Sequence, residues 1–285
     1  MTTALLEEQV LAKPYFDRAG LIVAAVDRRP VGFVHAGFGA RDNLGGVNHQ
    51  SGVICQVLLL PQFHADPVAR DLLAAGEDYL QRHGARQLRA GGWFPANPFY
   101  LGMYGGSELP GILADDEEAL RLFQAAGYRE IGRAALLQLP LAGFRMPIER
   151  WLLKLRPRAQ VRVFHPVAPA NWWESCTGLK ADWTRYEFSF RDEDQPLTTA
   201  TFWDLQPLAR SWGAPAAGIV RVEDSPDARR DGLTTFLLAD ACLEMKAQEI
   251  GLVEAQVNLE DAATLAIFRQ LGFREYNQGI MLVKE

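Results

Sequence analysis

A segment from the middle of the chain recurs near its end. Residues 116–130 align without gaps on residues 261–275 at a constant offset of 145 positions, and Asp, Leu, Phe, Gly, Arg and Glu recur at matching places. The offset is close to half of the 285 residues, so the repeating unit is about half of the chain. We therefore predict two copies of one domain in tandem, with the first at 1–142, a linker at 143–160 and the second at 161–285.

Each copy of the repeat has the pattern of a capped helix followed by a strand. Asp116 and Asp261 stand where a side chain would accept hydrogen bonds from the first helical turn. Gly127 and Gly272 stand where a glycine would end that helix. A β-type run follows each glycine, at 134–139 in the first copy and at 279–283 in the second.

Further strand and helix patterns lie upstream of both repeats. A β-hairpin is predicted over 21–35. In each half an apolar β-type run then precedes a helical pattern that a glycine ends. These patterns lie at 52–60 and 68–83 in the first half, and at 217–222 and 232–250 in the second. Strands that alternate with helices predict an α/β fold, of the α+β type with a mixed sheet.

The first half carries an insertion. Gly84 and Gly127 are 43 positions apart, whereas the corresponding Gly251 and Gly272 are 21 positions apart. About twenty extra residues therefore lie at roughly 93–113, and they are rich in aromatic residues, Gly and Pro. Long loops in compact domains often serve a function. Two interpretations stay open, a cover over a pocket and a packing element against the other half.

Composition limits the partners and the compartment. The chain has 29 Lys and Arg against 35 Asp and Glu, a formal charge of −6, which argues against a general nucleic-acid binder. No basic segment precedes an apolar run at the N-terminus, and no apolar run is long enough to cross a bilayer. Cys55, Cys176 and Cys242 are far apart and odd in number, which is typical of buried thiols. We expect a cytoplasmic protein that binds no membrane and no nucleic acid.

The loop before the long helix of the second half carries a resemblance to a known family. Residues 229–234 read Arg-Arg-Asp-Gly-Leu-Thr between a strand and a helix, and Gly272-Phe273 closes the later helix. This order resembles the GNAT superfamily of acyl-CoA-dependent N-acyltransferases, and the resemblance covers most of both halves. In the first half the same loop is 64–69, where Pro67 replaces the glycine and supplies no N–H. The resemblance implies a tandem GNAT protein whose first half is degenerate and shortened at its start.

The start of the helix near residue 232 is the predicted coenzyme site. Unpaired N–H groups and the partial positive charge of a helix N-terminus suit a diphosphate, and arginines add charge-assisted hydrogen bonds. The resemblance further implies that N–H groups of the central strand polarise a thioester carbonyl. It also marks Asp261 as the position where the family often has Asn, and Phe268 as the position where it often has Tyr. The predicted coenzyme-binding residues are Val220, Val222, Arg229, Arg230, Gly232, Thr234, Thr235, Asp261 and Phe268.

Proton transfer has fewer sequence markers. Glu223 follows the central strand and is the predicted general base, with a solvated surface carboxylate as the alternative. The family's usual acid is a tyrosine at the position of Phe123 and Phe268, and phenylalanine has no proton to donate. Tyr276 is therefore the predicted catalytic hydroxyl, with Tyr186 also available. No metal site is predicted, because no cluster has metal-ligand spacing.

The resemblance implies an N-acetyltransferase that moves an acetyl group from acetyl-CoA, as cosubstrate, to a small-molecule or peptide amine. Two alternatives stay open. One is a non-catalytic module that binds coenzyme A or assembles with a partner, and the other is transfer of a larger acyl or aminoacyl group. The sequence leaves the acceptor and the oligomeric state, including a homodimer, undetermined.

Overall fold

The computed structural model describes residues 2–63, 67–103, 106–147, 155–178, 181–205 and 213–285, with Arg230 described through its backbone only. Twelve strands within these ranges form one mixed sheet that is flanked by helices. The α/β fold with a mixed sheet is thus confirmed. Among the described residues, none of the helices combines the length and the apolar character that crossing a membrane requires.

The elements follow the chain in two similar series. The strands of the first half are β1 (Leu21–Val26), β2 (Arg29–Ala40), β3 (Val47–Leu59), β4 (Gln87–Ala90), β5 (Ile112–Leu113) and β6 (Arg129–Pro140). Those of the second half are β7 (Ala159–Phe164), β8 (Trp183–Phe190), β9 (Thr198–Asp204), β10 (Ala216–Asp224), β11 (Leu252–Asn258) and β12 (Arg274–Lys284). The helices are α1 (Thr3–Leu6), α2 (Pro67–Arg82), α3 (Glu117–Ala125), α4 (Trp172–Thr177), α5 (Pro226–Arg230), α6 (Leu233–Ala247) and α7 (Ala262–Gln270).

The capped helices predicted from the repeat are confirmed. The Asp116 carboxylate accepts from the N–H of Ala119 at 3.0 Å, and the Asp261 carboxylate accepts from the N–H of Thr264 at 3.0 Å. Gly127 and Gly272 follow the two helices with φ of 90° and 93°. Such angles are costly for residues that carry a Cβ, which is why glycine ends each helix.

The helix predicted from residue 232 to residue 250 is shorter and has a separate helix before it. Gly232 lies between α5 and α6 with φ 77°, a left-handed conformation that prevents the two helices from being continuous, and α6 ends at Ala247. In the first half, the loop residues 64–66 lie outside the described residues, as does the middle part of the predicted linker, at 148–154.

The last strands of the two halves are exchanged within the sheet. The strand order β4-β12-β6-β11 places the C-terminal strand β12 between two strands of the first half, and places β6 beside β11 of the second half. All three contacts are antiparallel. Each half therefore completes its sheet with a strand from the other half.

The pairing of β6 with β12 is symmetric about its centre. Ala134 lies opposite Gly279, two positions that correspond in the repeat. On one side Arg129 lies opposite Val283, and on the other Gln138 lies opposite Arg274, so the same contact is made twice with the halves exchanged. Such a contact resembles the isologous interface of a two-fold dimer, built here within one chain.

The two largest apolar cores among the described residues lie on the sheet, and each includes residues of the strand supplied by the other half. In the first half α2 packs against β2 and β3, and in the second half α6 packs against β8 and β9. Cys55, Cys176 and Cys242 are buried, as the sequence predicts. Phe268 belongs to the core of the second half.

Candidate active site

Strand β10 separates from β11 halfway along its length. The two run parallel from the pair Ala216 and Leu252 to the pair Ile219 and Ala255. The register with β9 then shifts between Ile219 and Arg221, which leaves Val220 as the extra residue of a β-bulge. A bulge bends its strand, and here it coincides with the point where the neighbours part. From Val220 onward, the edge of β10 that faced β11 has no strand partner among the described residues.

The first half repeats this geometry. The parallel pairing of β3 with β4 ends at Ile54 and Ala90, and the register with β2 shifts so that Cys55 is the extra residue. A groove of about 470 Å³ lies next to this opening, between β3, α2 and α3, and Asp116 lies on its wall. The strand opening is therefore a property of both halves.

Two of the predicted coenzyme-binding residues, Arg229 and Thr234, contact one carboxylate, that of Asp224. Its oxygens accept from Arg229 Nη2 at 2.8 Å and from Thr234 Oγ1 at 2.7 Å. Arg229 Nη1 also lies 3.6 Å from Oδ1 of a third predicted residue, Asp261, and this contact joins α5 to the start of α7. The hydrogen bonds to Asp224 raise the pKa of the Arg229 guanidinium.

The carboxylate of Asp224 is only 4% exposed, so a negative charge from the chain itself already lies beside the start of α6. That start has no side-chain cap, and Gly232 precedes it in the left-handed conformation. The sequence analysis did not identify Asp224. An acidic residue at the end of the central strand, four positions beyond Val220, was the available signal.

The remaining predicted coenzyme-binding residues differ in their surroundings. Val220 and Val222 flank Arg221 on the free part of β10, and Thr235 is buried in the first turn of α6. Phe268 packs edge-to-face on Phe273, with ring centroids 4.8 Å apart, and is 2% exposed. This packing gives Phe268 a structural place in the core. The side chain of Arg230 lies outside the described part of the chain.

The two predicted catalytic residues lie apart from each other. Glu223 is exposed on β10 and accepts from Thr199 Oγ1 at 3.1 Å. Tyr276 lies on β12, three strand positions from β10, which corresponds to about 14 Å at the usual spacing. Partial burial, followed by the charges of Glu254 and Asp115, raises the pKa of Tyr276. The structure thus brings Tyr276 toward Glu254, and their catalytic roles stay predictions.

A cavity of about 250 Å³ begins at the bulge of β10. Its walls come from β10, from α4, from the tryptophans of β8 and β9, and from the inserted loop of the first half. The lining residues are Phe94, Asn97, Leu101, Ser107, Glu108, Glu174, Thr177, Trp183, Trp203, Val220 and Arg221. Residues from both halves therefore enclose one space beside the free edge of β10.

The inserted loop is docked on the second half through close backbone contact. The N–H of Ser107 donates to Glu254 Oε2 on β11 at 2.5 Å. Gly218 on β10 lies beneath the loop, and a Cβ there would come within 2.7 Å of both Ser107 Cβ and Trp203 Nε1. Glycine at position 218 is thus what allows the loop to approach the sheet. The insertion packs against the other half and also forms a wall of the cavity.

Several carboxyl groups lie at or behind the cavity wall. Glu174 is buried, forms an ion pair with Arg221 and accepts from the N–H of Ala170 at 2.8 Å. Burial raises the pKa of Glu108 to about 7, against the opposing charge of Arg221. Burial also raises the pKa of Glu254 to about 7; the hydrogen bond from Ser107 opposes this rise and the Glu108 charge adds to it.

Glu254 is fully buried, and its Oε1 has no hydrogen-bond partner within the described ranges. A buried carboxyl of this kind favours the neutral form because burial penalises charge. Sequence reasoning missed Glu254, although a single acidic residue inside the apolar run 252–257 was a usable signal. Glu108 and Glu174 had no such signal, since their role depends on how the insertion and α4 meet β10.

Comparison with known proteins places the fold. No protein-family model matches the chain, and no curated protein matches it significantly. Among solved structures, a tandem GNAT protein from the clavulanic acid biosynthesis pathway matches with a TM-score of 0.62 and 15% identity, over 92% of this chain and 81% of that one. A GCN5-related N-acetyltransferase from Sphaerobacter thermophilus matches with a TM-score of 0.61 and 15% identity, over 93% and 79%.

A third match is a GCN5-related glucosamine N-acetyltransferase region of a fungal multi-domain GH3 β-N-acetylglucosaminidase. It has a TM-score of 0.66 and 15% identity, and it covers 99% of this chain but 36% of that longer one. These matches extend over nearly all of the chain, and one of them is itself a tandem protein. The chain therefore has the fold of the GCN5-related N-acetyltransferases, in an arrangement like that of a tandem GNAT protein.

Proposed function

We propose that this protein is an N-acetyltransferase that moves an acetyl group from acetyl-CoA to a small-molecule or peptide amine, with the donor bound in the second half. The observation that carries the proposal is the free edge of β10 from Val220 onward, which opens beside a cavity walled by carboxyl groups. The fold is shared with structures named as N-acetyltransferases, which supports the same reaction class.

The free edge of β10 suits the donor's thioester. Backbone N–H groups fixed in a strand can stabilise the negative charge that develops on a carbonyl oxygen, without reorganisation during the reaction. In this proposal Val220 and Val222 supply those groups. At the start of α6, Arg229 would hold the diphosphate by exchanging its long contact with Asp261 for phosphate oxygens. Asp224 opposes that binding through its charge.

The acceptor amine must lose a proton in order to attack. When the amine nitrogen bonds to the carbonyl carbon, the C–S bond breaks, coenzyme A leaves as a thiolate and the nitrogen releases a proton. A base is most effective when its pKa lies near the working pH. The carboxyls of Glu108 and Glu254, with pKa values near 7, fit this requirement at the cavity. Glu223 remains the alternative base, on the exposed surface of β10.

The test combines binding and turnover. Titration calorimetry with acetyl-CoA should show binding, and a thiol-release assay with a panel of amines should show turnover. Absence of both heat and thermal stabilisation at millimolar acetyl-CoA would refute the donor assignment. The same assay with propionyl-CoA and longer acyl donors tests the alternative of a larger acyl group, which faster release with those donors would favour.

One observation favours a second candidate, a non-catalytic module that binds coenzyme A. Asp224 occupies the start of α6 and already engages both Arg229 and Thr234. Phe268, at the position where the family often has a tyrosine, lies in the core. Coenzyme A binding without thiol release from any amine of the panel would support this candidate over the enzyme.

A further inference from the structure

The cavity beside β10 has an uneven distribution of charge. Two carboxyl-bearing side chains, Glu108 and Glu174, line it, against one guanidinium, that of Arg221. Arg221 is already ion-paired with Glu174. Glu108 therefore faces the cavity with no ion pair of its own among the described residues. Burial desolvates the Glu108 carboxyl, and the one guanidinium that acts on it is shared with Glu174, so its charge is only partly compensated. A cationic ligand would relieve this unfavourable arrangement.

A second carboxyl lies directly behind this wall. Glu254 receives the N–H of Ser107, the residue before Glu108 in the inserted loop. Its other oxygen, Oε1, is buried and has no hydrogen-bond partner in the described parts of the chain. The other titratable groups that face the pair are Arg221 from β10 and Tyr276 from β12. The Arg221 guanidinium thus acts on both Glu108 and Glu174.

The rest of the cavity lining combines apolar and aromatic side chains with three uncharged polar residues, Asn97, Ser107 and Thr177. Trp183 and Trp203 are buried and form its floor, Val220 lies beside them, and Phe94 is exposed at the rim. At the packing density of protein interiors, a volume of about 250 Å³ accommodates a molecule of roughly a dozen non-hydrogen atoms. The shape suits a compact body with one charged end rather than an extended chain.

We propose that this cavity binds a small primary amine in its ammonium form, with an apolar or aromatic body against Trp183 and Trp203 and with Glu108, supported by Glu254, as the counter-charge. The inference rests on the proposed function, because it identifies the class of acceptor for that reaction. It narrows the acceptor from any amine to a compact monocation. The inserted loop of the first half then contributes directly to acceptor recognition in the second half.

Phenethylamine is a suitable probe, and 2-phenylethanol is its uncharged counterpart. Titration calorimetry on the full chain without acetyl-CoA should give at least tenfold tighter binding of the amine than of the alcohol at pH 8. A bound ammonium favours the ionised form of the Glu108 and Glu254 carboxyls. At pH values below their pKa, binding of the amine therefore releases a proton from the protein. We expect affinity for the amine to rise about tenfold from pH 6 to pH 8, and the binding heat at pH 6 to depend on the buffer.

Variants separate charge recognition from general stability. Glu108→Gln should weaken phenethylamine binding at least tenfold and leave 2-phenylethanol unchanged, so the alcohol reports that the cavity remains folded. Glu193→Gln, which neutralises an exposed carboxylate in the turn after β8, should change neither ligand.

Three results would overturn the inference. These are no measurable heat with millimolar phenethylamine, equal affinities for amine and alcohol, and tighter binding of a hexapeptide with a free amino terminus. None of these measurements uses acetyl-CoA. Intact amine binding without turnover would therefore count against the proposed reaction alone, while turnover without selective amine binding would count against the inference alone.

Discussion

Ala134 and Gly279 lie opposite each other at the centre of the β6–β12 pairing. The pair of Arg129 with Val283 on one side corresponds in the repeat to the pair of Arg274 with Gln138 on the other. Of these two strands, β12 comes from the second half but pairs with β4 of the first, and β6 comes from the first half but pairs with β11 of the second. The hydrogen bonds at the middle of the molecule are thus contacts between halves. The cavity wall formed by Ser107 and Glu108 against β10 and β11 follows the same arrangement.

The exchange predicts that the halves do not fold separately. Residues 1–142 alone would leave both edges of β6 unpaired, and residues 161–285 alone would leave β12 without either neighbour. Unpaired strand edges and an exposed apolar face are unfavourable and promote aggregation. We expect no cooperative thermal transition for either fragment by circular dichroism, and recovery of one when both are co-expressed. A sharp transition in the isolated second half would contradict this.

Gly218 sets the distance between the inserted loop and the sheet. Gly218→Ala introduces a Cβ 2.7 Å from Ser107 Cβ, so the loop or Trp203 must move. We expect a loss of about 1–3 kcal/mol in the free energy of unfolding, measured with urea. Gly143→Ala is the matched control, since a Cβ at that position meets nothing within 4 Å. Equal stabilities of the two variants would show that the loop is not tightly docked.

The buried carboxyl of Glu254 predicts a pH-dependent stability. Its folded pKa of about 7 lies above the usual glutamate value, so the native state holds an extra proton between the two values. Its contribution to stability is present at low pH and is lost as the pH rises through 7. Glu254→Gln should therefore be more stable than the parent chain at pH 8, by roughly 2 kcal/mol, and similar to it at pH 5. Urea unfolding at both pH values, with Glu193→Gln as control, measures this difference; a constant offset would contradict it.

Asp224 and Arg229 should affect acetyl-CoA binding in opposite directions. Asp224→Asn removes a negative charge beside the start of α6 and frees Arg229, while Thr234 Oγ1 keeps an acceptor. We expect several-fold tighter binding of acetyl-CoA by calorimetry. Arg229→Ala should weaken it about tenfold, by loss of a charge-assisted hydrogen bond. If both variants bind acetyl-CoA like the parent chain, the diphosphate binds elsewhere.

The local features of the fold were predictable because short sequences determine them. The capping role of Asp116 and Asp261 and the left-handed glycines that follow depend on a few neighbouring residues. The exchange of β6 and β12 was not predictable in this way. Each strand has the same apolar face whichever half it joins, so the pattern fits both arrangements equally well. Only the packing of the complete sheet distinguishes them.

The residues of the candidate site also fall into two groups, those whose place the sequence indicated and those whose place depends on contacts between distant parts of the chain. The family resemblance pointed to the N–H groups of the central strand at Val220 and Val222, and these residues lie on the part of β10 that has parted from β11. The contacts of Asp224 with Arg229 and Thr234 join groups on a strand, a short helix and a long helix, and the loop between them determines whether they meet. Glu108 reaches the cavity only because an insertion from one half lies on the other.

The exchanged strands also bear on how a duplicated chain can change over time. A copy that lost the chemistry of its helix start, as we predict from Pro67 for the first half, would still supply the strand that completes the sheet of the other half. The first half can therefore be needed for the fold without being needed for a reaction of its own. Substitutions can erase the first half's own reactive groups, but deleting that half would dismantle the second.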